Sequence, residues 1–592
     1  MLRSRKISSA MGDATAMVRA VKGCPQGGVL SPLLWSLVVD RLLAELSARG
    51  FDVQGYADDL VITIRGRHDG ILSARMQAAL NLVENWCSTE GLNVNPNKTI
   101  IIPFTKRRKT RFIAPMLNGI TIKLSKEVKY LGIVLDQKLN WNSQIKRTIA
   151  KASTALWACR RLCGKTWGLK PKMIYWSYIT VVIPIVTYAS LVWWPKTEEK
   201  TTQGKFLKLQ RLACLGVTGA MKSCPTAALE TMLNLLPLHL HIKREAILSA
   251  SRVIQTQSIK SGDLTGHLKI LEKIKIEALT KPTDMMPIVR DFQRSFEVVI
   301  QDRQTMSVNE PKHEKGSLVW YTDGSKMEQG VGAGVFGPRC RLSKSLGKAP
   351  SIFQAEIHAI DICASECAKK GLRGATIYIL SDSQAALKAL TSCSFNSKLA
   401  WECRQSLNQL AKHNRVTLEW VPGHEGVEGN EIADQLAKEG AQRPFYGPEP
   451  FCGTTRGHLY EELRTWEKSQ KETYWNNIPG QRQAKRFISH SPKYTKKLLE
   501  LQKNELKLVT DFLTGHGPWR YHLKKMGKTE DEQCRFCHEA NETAEHILCE
   551  CRELTRQRLK YLEGVYPTPR DIIQLAPRSI LNFAKGIGIT GH

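Results

Sequence analysis

ATIYILSDSQAA, residues 375–386, opens with an uncharged run rich in β-branched residues, Ala375–Leu380, that ends at Ser381-Asp382-Ser383 and passes directly into helix-forming residues. Such a run predicts a buried strand, and the polar triplet puts a carboxylate at its end. Upstream, Leu318–Thr322 (LVWYT) repeats the arrangement, a strand leading into Asp323-Gly324-Ser325. Between the two lie a glycine-rich apolar run, Gly330–Gly337, a shorter and more polar one, Leu342–Gly347, and a helix, Phe353–Lys370, with Glu356 in its first turn. Downstream, a helix near Lys398–Lys412 leads to strand Val416–Val421 (VTLEWV). The glycine-rich loop Pro422–Asn430 (PGHEGVEGN) and a last helix carrying Asp434 follow. The order β-β-β-α-β-α-β-α predicts an α/β domain with a mixed sheet over residues 316–442.

The acidic residues of this stretch fall at strand ends, near a helix start and on a helix packed beside the sheet. Taken singly, each has a bland explanation: aspartate before glycine forms turns, and glutamate in a first helical turn serves the helix dipole. Taken together, crowded carboxylates repel one another unless cations neutralise them, which is the requirement of a two-metal phosphodiester site. Two Mg²⁺ ions, with Mn²⁺ as a substitute, are therefore expected at Asp323, Glu356, Asp382 and Asp434. One would activate a water and the other would stabilise the leaving 3′ oxygen. His424, with glycines on both sides, is suited to shuttle a proton.

YTDGS, AEIHAI, ILSDSQAA and WVPGHEGVEGNEIAD, in that order, resemble the type 1 ribonuclease H family over essentially all of residues 316–442. The resemblance implies hydrolysis of the RNA strand of RNA–DNA hybrids. Asp323, Glu356, Asp382 and Asp434 would be its acidic set and His424 its mobile histidine. One departure stands out: no basic segment lies between the second and third helices, where some relatives hold the hybrid. Substrate grip is then expected from elsewhere in the chain.

A second constellation lies near the N-terminus. Gly23–Pro32 (GCPQGGVLSP) precedes an apolar helix, Leu33–Leu46, and Tyr56-Ala57-Asp58-Asp59 sits between apolar flanks. Two adjacent aspartates at a hairpin tip suit a metal, although an Asx turn alone explains them. With Gly91–Thr99 (GLNVNPNKT) and Lys129–Asp136 (KYLGIVLD), these stretches resemble reverse transcriptases of non-LTR retrotransposons, in particular jockey-like and ribosomal-gene-inserting elements of arthropods. That likeness implies that Gln26 and Gly27 touch template and incoming nucleotide and that Asp58 and Asp59 bind metal. Lys98 would face the triphosphate, and Tyr130–Gly132 would help grip the primer. The family's third carboxylate has no counterpart, because only Asp13 precedes the GCPQGG run and its neighbours do not match. Polymerase activity is thus not expected from this chain alone, and a fuller reverse-transcriptase chain is an expected partner. The chain reads as the C-terminal portion of an element's second open reading frame.

Cys534-x-x-Cys537, His546 and Cys551 have the spacing of a tetrahedral Zn²⁺ site, with His538 and Cys549 nearby as spares. Scattered cysteines mimic such spacing. CRFCHEANETAEHILCEC is, however, similar to the Cys-Cys-His-Cys segment at the C-terminus of the same elements, which implies a structural zinc displaying a basic helix around Lys496–Lys507.

The bulk numbers agree with a nucleic-acid partner. Lys and Arg outnumber Asp and Glu by 86 to 55, a net charge of +31, which calls for a polyanion, DNA or RNA before a membrane surface. Many of the 16 cysteines sit in apolar helical contexts (Cys163, Cys214, Cys363), and no apolar leader opens the chain. An intracellular setting is expected, in a nuclear or cytoplasmic ribonucleoprotein. The uncharged run Met173–Pro195 is read as buried core, not as a membrane span. The expected organisation is multidomain α+β. It comprises a truncated reverse-transcriptase palm (1–135), a helical thumb or connection (136–300), a linker (301–315), the ribonuclease H-like domain (316–442) and a basic helical tail with the zinc segment (443–592). The rival reading is a nucleic-acid-binding remnant of a decayed element without catalysis, against which all five nuclease-site residues are present. A DDE transposase is disfavoured by the HEG loop and the Asp434 helix.

Overall fold

The computed structural model describes residues 5–20, 23–25, 27–107, 109–162, 167–255, 266–274, 276, 279, 281–300, 313–449 and 451–590. It divides into two compact units, Met1–Arg147 and Thr148–His592.

In the first unit, helices Ser31–Ala48 and Asp69–Glu90 cover the hairpin of Asp52–Tyr56 and Asp59–Thr63. Leu42, Leu46, Phe51, Ala79 and Val83 form the buried centre, with Val53, Leu60 and Ile62 of the hairpin packed against it. The register Tyr56↔Asp59 leaves Ala57-Asp58 as a two-residue turn, and Ala57 takes a left-handed φ of 52°. The Trp35 indole N–H donates to the Ala57 carbonyl at 2.7 Å and ties the turn down. Among the described residues of this unit the strands pair only two by two, as antiparallel hairpins and one short parallel pair (Ile100–Ile101 with Lys123–Leu124), so the region read as a palm shows no continuous sheet there.

The second unit contains the mixed sheet. Its elements are β1 (Met285–Arg290), β2 (Glu297–Val299), β3 (Leu318–Lys326), β4 (Val331–Gly337), β5 (Cys340–Gly347), α1 (Ile352–Lys369), β6 (Thr376–Ser381), α2 (Gln384–Thr391), β7 (Ser394–Ser397), α3 (Lys398–Ala411), β8 (Arg415–Trp420) and α4 (Glu428–Gln442). The six-stranded order is β2-β8-β6-β3-β4-β5. The first four strands run parallel, and β3, β4 and β5 form an antiparallel meander. Ile377 and Ile379 of β6 are fully buried, as a central parallel strand requires.

Two features explain the local sequence. The glycine-rich β4 is the floor on which α4 lies: a Cβ at Gly332 would stand 2.2 Å from the Ala437 carbonyl oxygen, and one at Gly334 2.1 Å from that of Ala433. The stretch to residue 300, read as helical, ends instead in strands. β2 adds in parallel to β8 and closes the sheet edge, while β1 pairs antiparallel with β7 through a register shift between Met285 and Val289.

The helical segments on either side of the sheet share a core. Leu459 and Leu463 of helix Arg456–Asn477 pack with Trp194, Ala246, Ile247 and Leu271. The Lys471 ammonium donates to the Asn234 carbonyl at 2.9 Å, and the Thr495 hydroxyl donates to that of Met232 at 2.9 Å. The blocks read as a separate connection and tail are therefore interlocked. No single described helix is long and apolar enough to cross a membrane. The Met173–Pro195 run falls in a pair of helical stretches, Pro171–Thr187 and Ser190–Glu198, bent by 53°, with Trp193 and Trp194 buried.

Candidate active site

β3 and β6 are level at Thr322↔Ser381, so Asp323 and Asp382 emerge at the same height on neighbouring strands. Asp323 is not at the end of its own strand, because β3 continues to Lys326 against β4. It stands where the parallel partner stops. Asp382 is held between β6 and the cap of α2, where the Ser383 hydroxyl accepts the Ala386 N–H at 3.3 Å. The Trp420 indole donates to the Asp382 carbonyl at 3.0 Å. Glu356 comes from α1, which Ser351 and Gln354 start with a reciprocal capping box. It lies just past the first helical turn. Gly324 makes this approach feasible, since a Cβ there would be 2.6 Å from the Glu356 backbone nitrogen.

Asp323, Glu356 and Asp382 present carboxylate oxygens that all lie within 4.8 Å of one another. Asp434, on α4, stands outside that group, and its carboxylate accepts from the Lys438 ammonium at 2.5 Å. Burial, then Asp382 and Asp434, push the Asp323 carboxyl up to about 7. Burial, then Asp323 and Asp382, hold Glu356 well above the usual carboxylate range. Burial raises Asp382 too, against the opposing pull of Asn430 and His424. The buried Glu356 Oε2 finds no hydrogen-bond partner in the protein. A cluster of hard oxygen donors, each disfavoured as an anion by burial and by a neighbouring carboxylate and one with an orphaned oxygen, fits divalent cations of the Mg²⁺ or Mn²⁺ type.

His424 stands exposed on the glycine loop with a left-handed φ of 58°, close enough for its charge to act on Asp382. One neighbour escaped the sequence reading. The buried Asn430, in the first turn of α4, brings its Nδ2 to 3.5 Å from Asp382 Oδ2. Its only signal was an amide one turn ahead of Asp434, on the same helix.

The Cys534, Cys537, His546 and Cys551 ligand atoms also lie within 4.8 Å of one another. Cys534 Sγ is 3.9 Å from Cys551 Sγ, and Cys537 Sγ is 3.3 Å from His546 Nε2. Arms of about 2.3 Å to sulfur and about 2.0 Å to nitrogen around a tetrahedral ion give edges of this size. His546 Nδ1 lies 3.6 Å from the Glu550 carboxylate, the kind of group that orients a metal-binding imidazole. Burial would raise the Cys537 thiol. The Glu539 and Ala540 N–H groups, with His546 and Cys534, pull it down to about 6, towards the thiolate a zinc site needs. Cys549 is buried outside the group, and His538 is exposed. The basic region near Lys496–Lys507 is two helices, Pro492–Leu498 and Lys503–Thr514.

Of the N-terminal residues, Gln26 lies outside the described residues, and Gly27 has a φ of 83°. Asp58, Asp59 and Lys98 are exposed. Among the described residues no third acidic, histidine or cysteine ligand closes on the two aspartates. Tyr130 ends a strand that turns back through Leu131-Gly132.

Comparison with known proteins matches the family model described as reverse transcriptase (RNA-dependent DNA polymerase) to residues 7–135 and that described as RNase H to residues 315–442. The chain is 26% identical over 256 residues to the Retrovirus-related Pol polyprotein from type-1 retrotransposable element R1 of Nasonia vitripennis, covering 42% of this chain and 75% of the relative. It is 26% identical over 235 residues to the putative 115 kDa protein in type-1 retrotransposable element R1DM of Drosophila melanogaster, covering 40% and 23%. To the RNA-directed DNA polymerase from mobile element jockey of Drosophila melanogaster it is 27% identical over 128 residues, covering 21% and 14%. The chain thus spans three quarters of one relative and less than a quarter of the other two. Among solved structures, RNase H1 from Halobacterium salinarum aligns at 24% identity and a TM-score of 0.18, over 21% of this chain and 97% of that one.

Proposed function

Starting from a chain whose homologues are R1 and jockey non-LTR retrotransposon polyproteins, with a reverse-transcriptase region and an RNase H region, we propose that the mixed-sheet domain hydrolyses the RNA strand of RNA–DNA hybrids at a two-metal site. The observation that carries this is the triad of carboxylates within 4.8 Å of one another, two of them buried and Asp382 partly so, with Asp434 beside it. Two Mg²⁺ ions, when bound, supply activation of the attacking water and stabilisation of the leaving 3′ oxygen. Asp323 and Asp382 offer oxygens from rigid neighbouring strands, and Glu356 offers them from a capped helix. Asp434, paired with Lys438 in this structure, would add its carboxylate to the set that holds the ions. Asn430 orients Asp382, and His424 carries a proton between the site and solvent. Attack of water on phosphorus breaks the P–O3′ bond, leaving a 3′-hydroxyl on one product and a 5′-phosphate on the other.

The reverse-transcriptase region binds nucleic acid without extending a primer by itself, and a fuller chain of the same kind supplies polymerisation. Zn²⁺ at Cys534, Cys537, His546 and Cys551 holds the tail together. The setting is an intracellular ribonucleoprotein, nuclear or cytoplasmic. The test is cleavage of a labelled RNA–DNA hybrid in Mg²⁺ by the full chain beside Asp382→Asn, because β2 joins the sheet from outside residues 315–442. Cleavage of the RNA strand that disappears in the variant supports the reading. A folded chain inert in both Mg²⁺ and Mn²⁺ returns the reading to a non-catalytic nucleic-acid-binding remnant.

A further inference from the structure

Building on the hybrid-hydrolysis reading, we propose that the β1–β7 ribbon is a nucleic-acid contact that holds the phosphodiester backbone of the hybrid beside the carboxylate site. β7 connects α2 to α3, the interval in which no basic segment was found. β1 arrives there from outside the RNase H match and pairs along it, Val289↔Phe395 and Arg290↔Ser394.

The ribbon is firmly mounted. Asp284 accepts from the Ser397 hydroxyl at 2.8 Å and the Leu399 N–H at 2.9 Å, and its carbonyl accepts the Lys398 N–H at 2.7 Å. At the other end the Asp291 N–H donates to the Cys393 carbonyl at 3.1 Å. The buried Arg404 donates to the Leu390 and Gln293 carbonyls and lies 3.8 Å from the Asp291 carboxylate. Phe296 then enters the sheet core.

What this mount displays is an alternation of apolar and basic side chains. Ile288 is 65% and Phe292 77% exposed, and Arg290 and Arg294 between and beyond them are exposed too. Asp291, the one carboxylate within Met285–Phe296, is turned to Arg404, and among the described residues neither Arg290 nor Arg294 makes an ion pair. An outward aromatic ring flanked by arginines at two-residue spacing matches a polyanion with stackable faces: guanidinium groups to phosphates, ring to base or ribose. A purely apolar protein partner would leave both arginine charges desolvated.

The position is right for the same substrate. α2 starts beside Asp382 and has eight residues, so its far end lies about 12 Å from the cluster. That is roughly three to four base-pair steps of rise along the helix axis.

The experiment compares the full chain with R290A/R294A, R290K/R294K and F292A. It reads hybrid affinity by fluorescence anisotropy without added Mg²⁺ across a salt series, and KM and kcat in Mg²⁺. Two lost phosphate contacts should lower the slope of log affinity against log salt by about 1.8, and KM should rise more than kcat falls. The lysine pair should restore the slope. F292A should weaken binding about ten-fold with the slope unchanged. Equal affinity and slope in the alanine pair would overturn the contact, as would a lysine pair behaving like alanine. Undiminished hybrid binding with loss of self-association in F292A would assign the ribbon to a second copy of the chain and overturn it equally. A wild-type chain that binds hybrid but does not cleave it defeats the catalytic reading alone, and the salt slopes still decide the ribbon.

Discussion

Two pairs of aspartates begin alike and end differently. Asp58 and Asp59 are adjacent in sequence at the tip of a local hairpin, whereas Asp323 and Asp382 are brought level by two parallel strands far apart in the chain. The first pair is exposed, so water screens each charge and nothing forces the two to share a cation. The second pair is desolvated, joined by Glu356 and flanked by Asp434, so the fold has stored repulsion that a divalent cation relieves. Adjacency in sequence therefore does not by itself desolvate a pair of carboxylates. Convergence at the level ends of neighbouring strands does, and only the long-range topology provides it.

The sharpest way to break the contrast is to remove one carboxylate from each region. Asp382→Asn should lower hybrid cleavage by roughly 10³-fold, equivalent to the several kcal/mol of transition-state stabilisation a metal supplies. Asp59→Asn should leave the cleavage rate of the RNA strand where it was. Primer extension by the unaltered chain on a primed RNA template, lost in Asp59→Asn, would show the hairpin pair to be as functional as the cluster.

Next in size is the scaffold that brings Asp434 to the site. Gly334→Ala puts a methyl 2.1 Å from the Ala433 carbonyl oxygen, a backbone atom that cannot swing away. The expected cost is about 1–3 kcal/mol or more, seen as a lowered melting temperature together with weakened cleavage as α4 lifts. Gly12→Ala, in a turn with open space around it, has no such packing clash, so any change there reflects its φ of 60° alone.

The zinc segment gives a smaller and more local effect. Cys537→Ser should take the bound zinc from one equivalent to none by metal analysis of the purified chain, with faster proteolysis confined to the tail. Full zinc content in the variant would transfer the fourth ligand to Cys549 or His538.

How much of this was readable beforehand follows from the range of the interactions involved. The strand–acid–helix pattern around Asp382 and the Cys/His spacing of the tail are local, and the structure has that strand and helix and brings those four Cys/His ligand atoms together. The glycines of β4 were visible as a strand, but not as the floor for α4, because that contact spans about a hundred residues. The strands β1 and β2 carry weak alternation and gain their shape by pairing with edges that form elsewhere. The shared helical core rests on contacts such as Lys471 with Asn234 and Thr495 with Met232, which leave no periodic trace. Asn430 and Lys438 sit in a polar helix whose composition looks like an ordinary solvated face.

The smallest expected effect tests the stored repulsion itself. Asp323 holds its proton up to about 7 in the folded chain, against about 3.9 when unfolded. The native state therefore binds the proton more tightly. Without metal, this group costs stability progressively as pH climbs from about 4 to about 7, and the cost then levels off. A divalent cation binds the ionised carboxylates, so its stabilisation must grow over the same window. The gain in melting temperature on adding Mg²⁺ should be larger at pH 8 than at pH 6 and should shrink strongly in Asp382→Asn. Asp58 and Asp59 are exposed and stand outside the cluster, so Asp58→Asn should leave both gains unchanged. A Mg²⁺ gain independent of pH would mean that the cluster is ionised before metal arrives, and the distinction between the two acidic regions would then rest on geometry alone.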